Sequence, residues 1–186
     1  MKFIPSSFRL RDHAITLDEV ADYYECSKNA IDAYYDISNL NPDFIGLSQK
    51  EIKAKRGEVL IELTIECGMM LMSAVEAAFR TDFVLRCRKS RKEQIDRDFK
   101  EILKGVKELY QVRIKEDLID RWADEYPTDR HHFSLLKSRF DYRNWVAHGR
   151  YWNKFQNAGV SSMLFTSLFV EVQSAMTIVN ARLLKP

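Results

Sequence analysis

VLIELTIECGMMLMSAVEAAF, residues 59–79, is apolar on nearly every side of a helix and contains only three carboxylates, Glu62, Glu66 and Glu76. A strand of this length would need turn signals within it, and there are none. Apart from the single glycines Gly57 and Gly68 there is no breaker, so the run reads as one long helix from Ser48 to about Arg88. Its first half is charged and exposed. Its second half, apolar all round, is expected to occupy the centre of a bundle.

Outward from this centre, the chain continues to read as helix. Thr16 followed by Asp18 and Glu19 is an N-cap with first-turn acids, and Leu17, Val20, Ala21, Tyr24, Ala30, Ile31, Tyr34 and Tyr35 recur at helical spacing, which predicts a helix over 17–38. SNLNPDFIG ends it. Residues 1–16 read as an irregular lead-in. Residues 93–125 give one or two amphipathic helices, with Ile95, Phe99, Ile102, Leu103, Val106, Leu109 and Tyr110 on one stripe and Leu118, Ile119 and Trp122 on another. A break falls near Val112 or Ile114. After the turn Tyr126-Pro127-Thr128-Asp129, a helix starting near 129 turns Phe133, Leu135, Leu136, Phe140 and Trp145 inward and runs until NKFQNAG, and residues 160–183 form a last apolar helix. With 6 Gly and 4 Pro in 186 residues, turns are few, and strand-like alternation, repeats and low-complexity tracts are missing. The fold class is therefore all-α: an up-and-down helical bundle of about five to seven helices in one domain spanning 1–186.

Charge and cysteine content narrow the chemistry. The 29 Lys+Arg against 27 Asp+Glu leave a net charge of +2, which gives no global drive to bind nucleic acid, so any basic surface is local. RCRKSRKEQ brings together Arg86, Arg88, Lys89, Arg91 and Lys92; it reads as a solvated helix end complementing the helix dipole, with an RNA-phosphate patch as the alternative. Cys26, Cys67 and Cys87 are odd in number and lack C-x-x-C spacing, which suits free thiols in a reducing compartment. No apolar stretch reaches the length of a membrane span, and a soluble, cytoplasmic protein without membrane contact is expected.

RNWVAHGRYW, residues 143–152, is where polar groups interrupt an otherwise apolar helix. At about 100° per residue, Asn144, His148, Tyr151 and Trp152 share a face, and Arg143 lies about 140° from His148, near enough for its long side chain to swing round. No serine or cysteine lies beside His148 to complete a triad. No H-x-x-x-H or H-E-x-x-H offers a metal site, and the rings of His131 and His132 are expected to diverge. Glycine-rich cofactor loops are also missing, so neither a metal nor a cofactor is expected. An arginine and a histidine remain, and that pair can act on a phosphodiester whose nucleophile is the RNA 2′-hydroxyl.

R-N-W-V-A-H resembles the R-x4-H signature of the HEPN superfamily (higher eukaryotes and prokaryotes nucleotide-binding domains), with Phe140 before it, Gly149 after it and an apolar closing helix. MLMSAVEAAFRTDF is similar to the earlier family helix whose polar residue faces the same cleft, which matches Glu76, and EILKGVKELYQVRIKEDLIDRW resembles bacterial ribonuclease-toxin members. The likeness covers the chain from about residue 50 onward. It implies a homodimer formed near the motif helix and a metal-independent RNA endonuclease, a toxin or defence effector. Its catalytic residues would be Arg143 and His148, supported by Asn144, Glu76 and Tyr151; an antitoxin or other regulatory protein would be a further partner. Some nuclease members carry a tyrosine two residues after the histidine, where this chain has Arg150, which leaves the role of Tyr151 open. Arg139, Arg150 and Lys154 extend the basic face and would track RNA phosphates, with a solvated helix face as the bland alternative. Glu76 reads equally as a structural ion-pair partner of Arg143 or Arg150. Trp145 and Trp152 read as core or interface anchors, and Met69, Met70 and Met72 as core filling. The alternative function is a non-catalytic HEPN-like module binding RNA, a nucleotide or a protein partner.

Overall fold

The computed structural model describes residues 15–38, 41–88, 93–148 and 165–183. Among these are six α-helices and no strand: α1 (Leu17–Tyr34), α2 (Gln49–Arg88), α3 (Gln94–Gly105), α4 (Asp120–Glu125), α5 (Arg130–Ala147) and α6 (Phe165–Asn180). The expected all-α bundle is what the chain forms.

Local chemistry sets most of the boundaries. Thr16 caps α1 reciprocally with Glu19: the Glu19 N–H donates to Thr16 Oγ1 at 3.2 Å, and the Thr16 N–H donates to the Glu19 carboxylate at 2.7 Å. The helix stops at Tyr34 rather than 38, because the Asp36 carboxylate accepts from both the N–H and the hydroxyl of Ser38 and fixes a turn there. A short 3₁₀ turn at Pro42–Phe44 and Gly46, whose φ of 86° only glycine adopts without strain, reverse the chain. Ser48 and Glu51 make a second reciprocal cap, and α2 then runs without a break for 40 residues, about 60 Å. α1 runs back along its first half, with Asp32 on Arg56 at 2.8 Å.

α2 is the spine, though its central burial starts later than the composition suggests. Val59 and Ile61 are exposed, the latter by 50%, and burial sets in at Leu63 and continues through Cys67, Leu71, Met72, Val75, Phe79 and Phe83. Met72 is core, while Met69 and Met70 are only part-buried. Gly68 marks the closest approach of neighbouring helices: a Cβ there would stand 3.1 Å from Leu168 on α6 and 3.7 Å from Tyr142 on α5. α5 buries Phe133, Leu136, Phe140, Tyr142 and Trp145, and α6 buries Phe165, Leu168, Val172, Ala175, Met176 and Val179. Leu135, expected inward, is part-buried.

The segment after α3 breaks where expected. Between Gly105 and Arg113 the backbone leaves the helix, and a π-helical segment, Ile114–Ile119, then leads straight into α4. Tyr110 does not continue the inward stripe: the phase of α3 ends at Gly105, and the ring stands 79% exposed on a 3₁₀ turn, Leu109–Gln111.

The largest departure concerns the basic run. Arg86, read from sequence as part of a solvated helix end, is 1% exposed. Its Nε donates to both oxygens of Asp82 at 3.0 and 2.9 Å, its Nη1 to Glu93 at 2.8 Å and Asp96 at 2.9 Å, and its Nη2 to the Arg182 carbonyl at 3.1 Å. The guanidinium also lies 5.1 Å from the centre of the Trp122 ring. Burial alone would lower its pKa; the charge of Asp82 and the bonds to Glu93, Asp96 and Asp82 outweigh that and raise it. Arg88 is exposed, while Lys89, Arg91 and Lys92 lie outside the described residues. Replacing Arg86 by Met would leave Asp82 and Asp96 buried without their cation, and the expected loss is about 3–5 kcal/mol of unfolding free energy. Urea denaturation measures it, and a loss below about 1 kcal/mol would contradict a keystone role.

Candidate functional site

α2 and α5 pack closely where Gly68 faces Tyr142, and this contact brings the next residue of α5, Arg143, to Glu76, two turns further along α2. Arg143 Nη2 donates to Glu76 Oε2 at 3.3 Å, and its Nη1 donates to Asn144 Oδ1 at 3.2 Å. Glu76 has a shorter partner that the motif reading missed. Arg80, one turn on, donates from Nε to Glu76 Oε1 at 2.7 Å. One part-buried carboxylate is thus shared by two part-buried guanidinium groups. The i,i+4 spacing of Glu76 and Arg80 was present in the sequence and is the signal that could have found the second cation.

The helix carrying the motif ends sooner than expected. His148 is the C-cap of α5, with φ −90° and ψ 19°, and its N–H donates to the Asn144 carbonyl at 3.0 Å. Tyr151 and Trp152, expected on the face of Asn144, lie outside the described residues. The imidazole of His148 belongs to an exposed residue one turn beyond Asn144. Asn144 thus touches both ends of the motif: its side chain holds Arg143 and its carbonyl holds the His148 backbone.

Arg139 is engaged elsewhere. Its Nη2 and Nε both donate to Glu171 on α6, at 2.5 and 3.1 Å, which gives it a structural partner and little freedom to track phosphates. Arg150, Tyr151, Lys154 and Trp152 lie outside the described residues. Trp145 is buried, 5.9 Å from the Tyr142 ring, in keeping with an anchoring role inside the bundle.

Among the described residues, no group of three or more His, Cys, Asp or Glu side chains is placed to hold a metal ion. His131 and His132 do not diverge as expected; their ring centroids are 3.7 Å apart, and the pKa of His132 is lowered by burial and then by the neighbouring imidazole. No described helix is long and apolar enough to cross a membrane. No family model, curated protein or solved structure matches the chain.

The cysteines are poor nucleophiles where they are buried. Burial pushes the Cys67 thiol up to about 11 and the Cys87 thiol up to about 12, whereas Cys26 is exposed on α1. At pH 8 the thiolate fraction of Cys67 is only about one part in a thousand. A colourimetric thiol titration of the native protein at that pH is expected to show one fast-reacting cysteine and to reach three only in denaturant. Rapid reaction of all three without denaturant would contradict the packing of α2.

Proposed function

We propose that this protein is a metal-independent RNA endonuclease of HEPN type, acting as a homodimer in which Arg143 and His148 of two copies share one cleft, and serving as a toxin or defence effector. The observation that supports it most is the arrangement around Asn144: an arginine held from two sides by Glu76 and Asn144, one turn before an exposed histidine. Holding the guanidinium in advance lowers the cost of orienting it on a phosphate.

In the proposed reaction, His148 removes the proton of an RNA 2′-hydroxyl. The oxygen attacks the adjacent phosphorus, the bond to the 5′-oxygen breaks, and that oxygen takes up a proton. The products are a 2′,3′-cyclic phosphate and a 5′-hydroxyl. Base and acid are both needed within one turnover, and two copies of His148 would supply them. Arg143 stabilises the charge that accumulates on the non-bridging oxygens. Asn144 and Glu76 orient it.

A second reading has its own observation. Because Arg143 is already paired within the chain, the Glu76–Arg143 contact also fits a purely structural link between α2 and α5 in a non-catalytic module that binds RNA, a nucleotide or a protein. The two readings part on His148, an exposed residue at the C-cap of α5. Purified protein is expected to cut single-stranded RNA in the presence of EDTA, His148→Ala to lose at least a hundredfold in rate, and Asn144→Ala to lose less. Full activity, or full growth inhibition in cells, from His148→Ala would overturn the nuclease reading.

A further inference from the structure

The cations on the α5 side differ in how completely they are matched. Lys137 has Asp120 at 2.6 Å, Arg139 has Glu171 at 2.5 Å, and Lys115 has Asp141 at 2.6 Å, each carboxylate serving one of these cations. Arg80 and Arg143 instead divide a single carboxylate, one on each oxygen of Glu76. That leaves a local surplus of one positive charge on two part-buried forks set side by side. A guanidinium has five N–H donors, and the contacts described above use only some of them. Arg143 Nε is buried, and the remaining Nη donors of the two arginines are the ones that can meet a further anion with oxygens on more than one side, as a phosphodiester has.

A second feature lies beside the first. Arg80 Nη1 reaches to 3.5 Å of the Leu109 carbonyl, which anchors the 3₁₀ turn bearing Tyr110 next to the arginine pair. Tyr110 is the large aromatic residue that the fold leaves 79% exposed. An aromatic ring displayed next to a phosphate-binding fork is the combination that holds single-stranded nucleic acid: the fork takes the backbone and the ring takes an unstacked base.

We infer that the substrate path runs along α2 from Arg143 through Arg80 to Tyr110, with Arg80 as a second phosphate-binding arginine and Tyr110 as the platform for a neighbouring unpaired base. Glu76 is the positioning residue that spaces the two forks. This path rests on the ribonuclease reading for its substrate class and narrows that class to single-stranded RNA, because a base inside a duplex cannot stack on the tyrosine.

The test is binding of a 2′-O-methyl oligoribonucleotide, which cannot be cleaved, measured over a range of salt. Arg80→Gln is expected to weaken binding by about tenfold and to flatten the salt dependence by about 0.7 in the log–log slope, the share of one phosphate contact on a single strand. Tyr110→Ser is expected to weaken binding by about tenfold with the slope unchanged, and Tyr110→Phe to bind like the wild type. The exposure of Tyr110 makes its variants safe for folding, so they test the path even if Arg80→Gln loosens α2. Wild-type binding with both Arg80→Gln and Tyr110→Ser indistinguishable from it would overturn the path while leaving the nuclease reading standing. A wild-type protein that neither binds nor cuts RNA would overturn both.

Discussion

A guanidinium that is taken out of water has to find acids, and Arg86 finds them on two elements at once. Asp82 lies one turn back on α2, Asp96 lies in the first turn of α3, Glu93 immediately precedes that helix, and the Arg182 carbonyl comes from the turn after α6. Trp122 of α4 closes the remaining face. Four parts of the chain separated by up to 96 residues are therefore registered on one side chain. An ordinary apolar contact could bring the same elements together but would not fix their rotation, since it has no preferred direction; five N–H donors with fixed angles do. The cost of burying the charge is met only while all its partners are in place, and this makes the junction cooperative.

With the far end of α2 fixed by Arg86, the rest of the site is a question of how closely α5 and α6 can approach the same helix. Gly68 decides this. A Cβ there would meet Leu168 and Tyr142, and further along the same helix pair Arg143 meets Glu76 at 3.3 Å. The candidate site is thus built on two long helices rather than on loops, and its arginine is oriented from α2 and α5 together. Preorganisation of that kind suits a group that must meet charge developing on a phosphate, because little has to be reordered at the moment of reaction.

What the sequence made legible was whatever is governed by neighbours in the chain. The Thr16 cap, the unbroken run from Ser48 to Arg88, the break near Val112 and the inward positions Phe133, Leu136 and Phe140 all follow from spacing within a few residues. What depended on distant partners was not legible. Arg86 sat in a run of cations that local reasoning assigns to solvent, and only the arrival of Asp96 and the end of α6 buries it. Tyr110 kept an apolar rhythm on paper, but the helical phase that gave the rhythm meaning had ended at Gly105. At the site, Arg143 bonds Glu76 and Asn144, and the second cation, Arg80, was legible only as an i,i+4 partner of Glu76, because a signature built around one arginine does not point to it.

The same distinction explains how a chain with a net charge of +2 can still set two arginines on a single carboxylate. Net charge averages over cations in very different situations: Arg86 is surrounded by three carboxylates, Arg139 faces one, and Arg80 and Arg143 share one. Asp82, Glu93 and Asp96 are engaged with Arg86, while Glu76 alone serves both Arg80 and Arg143. Composition counts these charges equally; the fold separates an arginine surrounded by carboxylates inside the bundle from two that divide one carboxylate.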